Sequence, residues 1–140
     1  MNNALSFLGL AKKAGRLEAG EAPAGAAARA STGCLLLLAS DAAPNTCRRA
    51  QHFADIGKMP LVKLPFDKRE VGGVIGRSSC AILVLTDVGF STTLCKKLAA
   101  AYGAPYDAVA TGLTEQVADR GQQRRYEKRS HEKKRRRPPI

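Results

Sequence analysis

The chain has 140 residues, enough for one domain of ordinary size with some length to spare, and two large catalytic domains are excluded. Hydrophobic residues at 44% permit a packed core, whereas aromatics at 5%, with no Trp, leave few candidates for an aromatic base-stacking surface. The net charge of +11 points to a polyanion, either nucleic acid or an anionic membrane surface.

Ala4, Phe7, Leu8, Ala11 and Ala14 recur at helical spacing and predict a first helix from about Asn3 to Ala14, with Gly15 as its stop. A brief extended piece, Arg16 to Ala19, leads to the alanine-rich segment Glu21 to Ala30. Pro23 near its start and Gly33 beyond its end mark a second helix, weakened by Gly25. Cys34 to Ala39 is a short continuous apolar run of the kind buried on both faces of a sheet. Pro44 to Gly57 reads as a helix, Leu61 to Leu64 as a second core strand, and Asp67 with Glu70 as a capping-box start for a short helix ending near Ile75. Ala81 to Leu85 is the third apolar strand, and Thr86 or Asp87 caps a helix with the stripe Phe90, Leu94, Leu98 and Ala101.

This alternation predicts an α/β protein, a three-layer α/β/α sandwich around a small parallel or mixed sheet, ending near Tyr102. Beyond it, Gly103, Pro105 and Gly112 break any regular pattern. From Arg120 to Ile140 ten basic residues stand against Glu127 and Glu132, and apolar residues nearly vanish. Residues 103–140 therefore read as a linker and a basic C-terminal extension that stays disordered until it meets a partner.

Few residues invite catalysis. Asp41 and Asp87 each follow a strand and could be metal ligands or an acid/base couple, but an Asp after Ser or Thr at the start of a helix is also what capping needs. His52 has no triad-like neighbours and reads as a surface or boundary histidine. Cys34, Cys47, Cys80 and Cys95 form no CxxC pair, so buried free thiols are expected rather than a metal site. Gly72, Gly73 and Gly76 match no nucleotide-binding loop. No stretch approaches the ~20 apolar residues needed to span a bilayer, and no signal-peptide pattern opens the chain, so a reducing cytoplasm is the expected compartment.

The basic residues are more telling. Ala19, Gly20 and Glu21 precede the alanine-rich helix, where exposed N–H groups flanked by Lys13 and Arg16 could take an RNA phosphate. Arg124, Arg125, Lys128, Arg129 and the run Lys133, Lys134, Arg135, Arg136, Arg137 can neutralise phosphates without reading sequence.

FLGLAKKAGRLEAGE, LLLLASDAAPNT and VIGRSSCAILVLTDVGFSTTL, in this order and spacing over about residues 3 to 100, resemble the bacterial YlxQ-like proteins. These are small members of the ribosomal superfamily typified by the archaeal L-seven-Ae and eukaryal L-thirty-e proteins. The resemblance implies an α/β/α sandwich that binds RNA, often a kink-turn, through the start of the second helix and a loop before the last strand. The family's glycine falls on Gly20 and the next position on Glu21. Its Asn, Glu and Lys that read sheared G·A pairs would fall on Ala22, Pro23 and Ala26, which lack the side-chain donors to do so. The loop corresponds to Gly76, Arg77, Ser78 and Ser79, still polar and basic, and Asp41 to Pro44 would line the same edge.

The expectation is thus a non-catalytic, cytoplasmic, monomeric RNA-binding protein of ribosomal type, without cofactor. It would use Lys13, Arg16, Gly20, Glu21, Arg77 and Ser78 on the body, with Arg124, Arg125, Lys133, Lys134 and Arg135 in the tail. The alternatives are a protein-interaction module anchored to nucleic acid by the tail alone, and a small enzyme built on Asp41 and Asp87.

Overall fold

The computed structural model describes residues 3–114. In chain order these form α1 (Asn3–Lys13), β1 (Leu17–Ala19), α2 (Glu21–Arg29), β2 (Leu35–Leu38), α3 (Pro44–Gly57), β3 (Leu61–Lys63), α4 (Lys68–Val74), β4 (Ile82–Leu85) and α5 (Val88–Tyr102). A last helix, α6, covers residues 106–114. The sheet is mixed, in the order β1-β4-β2-β3. β4 lies antiparallel to both β1 and β2, and β2 runs parallel to β3.

The continuous apolar runs are explained by burial on both faces, since successive side chains of a strand point to opposite sides. Leu35, Leu37, Leu83 and Leu85 join Leu17 and Ala19 in a core shared with Leu8 of α1, Val71 of α4 and Leu94 and Leu98 of α5. Their neighbours Leu36, Leu38, Ile82 and Val84 form a second core with Ala24, Ala27 and Ala28 of α2 and Ala50 and Ala54 of α3. The result is the α/β/α sandwich: α1, α4, α5 and α6 on one face, α2 and α3 on the other.

Small residues set the α2–α3 distance. A methyl group on Gly25 would stand 3.0 Å from the Phe53 ring, and one on Gly57 would stand 3.2 Å from Ala28 Cα. Gly25 therefore does more than weaken its helix, because its missing side chain admits Phe53.

The capping signals hold where they are local. Asp67 accepts from the Glu70 N–H at 2.8 Å and Glu70 accepts from the Asp67 N–H at 3.2 Å, a complete capping box. Asp87 accepts from the Phe90 N–H at 2.9 Å.

The C-terminal boundary differs from the sequence expectation. Residues 103–114, read as the start of a linker, fold against the body. Gly103, at a φ of +74° that suits glycine, ends α5 and turns the chain back. Tyr106, Ala110 and Leu113 then recur at helical spacing and are buried in the first core. The Tyr106 hydroxyl donates to the Lys63 carbonyl at 2.7 Å. The breakers Gly103, Pro105 and Gly112 sit outside the helix or on its exposed side, and the domain reaches at least residue 114. The disorder expected of the basic extension falls on residues 115–140, outside the described residues.

Candidate nucleic-acid interface

One end of the sheet gathers the starts of three helices. Because β2 and β3 are parallel to each other and β1 is parallel to β2 across β4, the carboxyl ends of all three lie together, and α2, α3 and α4 begin there. The loop 76–80 returns to the same end before β4. A ligand crevice outside the carboxyl ends of strands is a common consequence of such topology.

Gly20 is the N-cap of α2, with φ +107° and ψ 163°, and no side chain caps this helix. The Gly20 N–H donates to the Ile82 carbonyl at 2.9 Å, and its carbonyl accepts from the Ala24 N–H at 3.1 Å. Its N–H is therefore committed to the sheet and is not available to a phosphate, contrary to expectation. Pro23 has no N–H, so Glu21 and Ala22 are the backbone donors this helix start presents, backed by the positive end of the helix dipole.

Arg77 comes to the same place. The space that a Gly20 side chain would enter is bounded by Arg77, whose Nη1 would lie 3.6 Å from the added carbon. The loop that carries Arg77 is anchored by its own N–H to the Gly72 carbonyl at 2.8 Å and by the Cys80 N–H to the Lys68 carbonyl at 2.8 Å. Ser78 and Ser79 are exposed on it.

Glu21 does not act alone. Its carboxylate forms an ion pair with Arg49 and accepts from the Thr46 hydroxyl at 3.3 Å, both on α3. The negative charge is thus matched locally, and the cation Arg49, marked by no sequence signal, joins this region. The face beyond it is bare: Ala22 and Ala26 are exposed and Pro23 is half-buried.

Of the two neighbouring lysines, Lys12 is the one whose charge is felt at Cys80, at the end of the 76–80 loop. Burial pushes the Cys80 thiol up, opposed by its bond to the Ile82 carbonyl, by the charge of Arg77, by the Gly20 backbone and by the charge of Lys12. Lys13 is exposed on the last turn of α1. Arg16 lies elsewhere: its carbonyl accepts from the Thr86 N–H at the opposite end of β1, four residues or ~13 Å of strand from Gly20. It cannot flank the α2 start as expected. The tail candidates Arg124, Arg125, Lys133, Lys134 and Arg135 fall outside the described residues.

Asp41 and Asp87 are also separated. They follow the ends of β2 and β4, which are antiparallel, so ~10 Å of strand divides the ends they extend and they form no acid/base couple. Asp87 caps α5, while Asp41 accepts from the Lys68 N–H at 2.8 Å, at the first turn of α4 rather than of the helix it precedes.

Cys34, Cys80 and Cys95 are buried and Cys47 is half-buried, none of the four joined in a disulfide. Among the described residues no three His, Cys, Asp or Glu side chains gather as a metal site would require. Nor is any helix among them long and apolar enough to cross a membrane.

The chain matches no family model and no curated protein. A solved structure of a protein of unknown function from Bacillus halodurans superposes on it with a TM-score of 0.64 at 26% identity. The match takes in 98% of that chain and 70% of this one, so this chain carries length beyond the shared fold.

Proposed function

We propose that the chain is a non-catalytic, cytoplasmic RNA-binding protein of the YlxQ-like ribosomal type, holding structured RNA at the carboxyl ends of its strands. The observation that carries this reading is the meeting of the Arg77 guanidinium with the uncapped start of α2 at Gly20. There a phosphate would receive the N–H groups of Glu21 and Ala22 and the fork of Arg77, a combination of helix-end and charge-assisted contacts. Arg49, turned toward Glu21, keeps that carboxylate from opposing the phosphate.

The alanine face of α2 supports recognition by backbone shape over base readout. Ala22, Pro23 and Ala26 offer no side-chain donor to a base edge, so sequence preference should be weak. The same apolar face favours a second reading, a protein-interaction module held on nucleic acid by its tail. Binding of the full chain to a kink-turn RNA, a plain RNA duplex and a DNA duplex across a salt series separates the two. The RNA reading expects a preference for the structured RNA, and Arg77→Ala should reduce the salt slope on it by about one unit. Equal binding to all three, unchanged by Arg77→Ala, would leave the module reading.

A further inference from the structure

We propose that the outer face formed by α1 and α5 is a docking site for an acidic amphipathic helix of a partner protein. Phe7, Leu10 and Phe90 form its apolar centre, and Lys13 and Lys97 its cationic flanks. The site stands apart from the Gly20–Arg77 edge and does not rest on the RNA reading.

The face follows from how the two helices pack. α1 ends and α5 begins at the end of the sheet where the Thr86 N–H meets the Arg16 carbonyl, so they run in opposite senses. Ala4, Leu8 and Ala11 are the buried residues of α1, and at about 100° per residue this turns Phe7 and Leu10 to one side and Gly9 and Lys12 to the other. The contacts agree: the Phe7 ring lies 5.4 Å from that of Phe90 on α5, while Gly9 abuts the Val74 carbonyl on α4. The Lys97 ammonium stands 5.6 Å from the centre of the Phe7 ring. Phe7 and Phe90 are half-buried. Leu10, nearly one turn further towards the start of α5, is 55% exposed, more than any other large hydrophobic side chain among the described residues.

The charge around this centre has one sign. Neither α1 nor α5 contains an Asp or Glu, and among the described residues neither Lys13 nor Lys97 forms an ion pair. Glu18 faces the other side of the sheet, because its neighbours Leu17 and Ala19 enter the core beneath α1. Asp87 is engaged by the Phe90 N–H. Lys12 and Lys96 stay out of the site: the charge of Lys12 is felt at Cys80, and Lys96 borders the cleft between α5 and α6 with Asp107.

These features select the occupant. A phosphate backbone would leave Leu10 uncovered, and Phe7, with Phe90 and Lys97 already against its ring, is no open platform for a base. A second copy laid face to face would set lysines against lysines. A helix with aliphatic side chains on one stripe and carboxylates at either end of it meets both requirements. Lys97 stands at Phe7, and Lys13 lies six residues or about 9 Å further along α1, close to the ~11 Å rise of two helical turns. The partner's carboxylates should therefore be about two turns apart, with Leu or Ile between them.

The test uses the full chain, native and as Leu10→Gln and Lys97→Gln, with urea denaturation to show that all three are folded. The probes are two synthetic helical peptides of equal charge, one with two Glu about two turns apart and Leu between them, the other with those Leu replaced by Ser. Attraction to the basic residues 124–137 is common to both peptides and cancels in the comparison. At physiological salt the Leu peptide should bind the native chain roughly tenfold more tightly than the Ser peptide, and should shift the amide resonances of residues 6–13 and 89–97. That advantage should vanish in Leu10→Gln, and Lys97→Gln should weaken the Leu peptide by roughly threefold. Equal binding of the two peptides by the native chain, or an advantage that survives Leu10→Gln, overturns the proposal. So does Leu10-dependent binding to vesicles of phosphatidylserine and phosphatidylcholine without discrimination between the peptides, which would make the face a membrane contact. Shifts of the same amides by a kink-turn RNA in place of the peptide would make it an RNA contact and overturn it equally.

Discussion

Gly72 offers a direct test of how the Arg77 loop is seated. A methyl group on Gly72 would stand 2.6 Å from Ser79 Cα and 2.7 Å from Ser79 N, both backbone atoms that cannot swing aside. Gly72→Ala must therefore push the loop off α4. Two effects oppose each other. Alanine is favoured over glycine inside a helix by about 1 kcal/mol, whereas relieving such an overlap costs about 1–3 kcal/mol. Strain on the bond from the Arg77 N–H to the Gly72 carbonyl adds up to ~1 kcal/mol. The net expectation is a loss of about 1–2 kcal/mol, the overlap winning. Gly73 supplies the control, because nothing lies within 4 Å of a methyl group there, so Gly73→Ala should gain up to ~1 kcal/mol. Urea denaturation of both variants with unchanged slopes reads the difference, and RNA binding should weaken for Gly72→Ala alone. A Gly72→Ala protein as stable as Gly73→Ala would refute the packing of the loop on α4.

Other consequences are as accessible. Asp41→Ala and Asp87→Ala should each cost about 1 kcal/mol as lost helix-start bonds, and the double variant should be additive within about 0.5 kcal/mol; strong coupling would mean that the two share a site after all. Leu113→Ala should cost about 2–5 kcal/mol in denaturant unfolding, and Tyr106→Phe about 1 kcal/mol, whereas an undocked α6 would make both neutral. Burial pushes the Cys95 thiol up to about 11 from an ordinary 9.0. The unfolded thiol ionises first, so stability should fall as pH rises from 9.0 towards about 11, and Cys95→Ala should flatten that part of the profile of stability against pH.

The local signals in the sequence map onto the fold closely. The runs LLLL and ILVL are central strands because both faces of the sheet are covered, and the Asp67–Glu70 spacing is a capping box because both partners lie within one turn. Where the deciding partner is distant in the chain, the sequence is mute. Asp41 sits beside a helix start it does not cap and bonds to one 27 residues away, which depends on β2 and β3 ending side by side. The pairing of Glu21 with Arg49 spans 28 residues and depends on α2 packing against α3. Along α1 a single step turns the helix by about 100°, so the charge of Lys12 rather than Lys13 is felt at Cys80. Arg16 is displaced because a strand carries residues along its length, so nearness in sequence to Gly20 becomes distance in space. The signal for α6 is present in Tyr106, Ala110 and Leu113, but is outweighed by Gly103, Pro105 and Gly112, whose breaking effect is spent at the helix ends and on its outer side.

The sheet has two outer strands, and each bears on how copies of the protein behave when crowded along a polyanion. There the repulsion due to a charge of +11 is neutralised, and unpaired strand rims become the hazard through which β-proteins aggregate. β1 is only three residues long, with the charged Glu18 exposed at its middle. On β3 the Lys63 carbonyl is already taken by Tyr106, with α6 laid alongside. Neither rim presents a long, flat, apolar row, so the helix that closes the fold also protects the molecule from edge-to-edge self-association when its charge is masked.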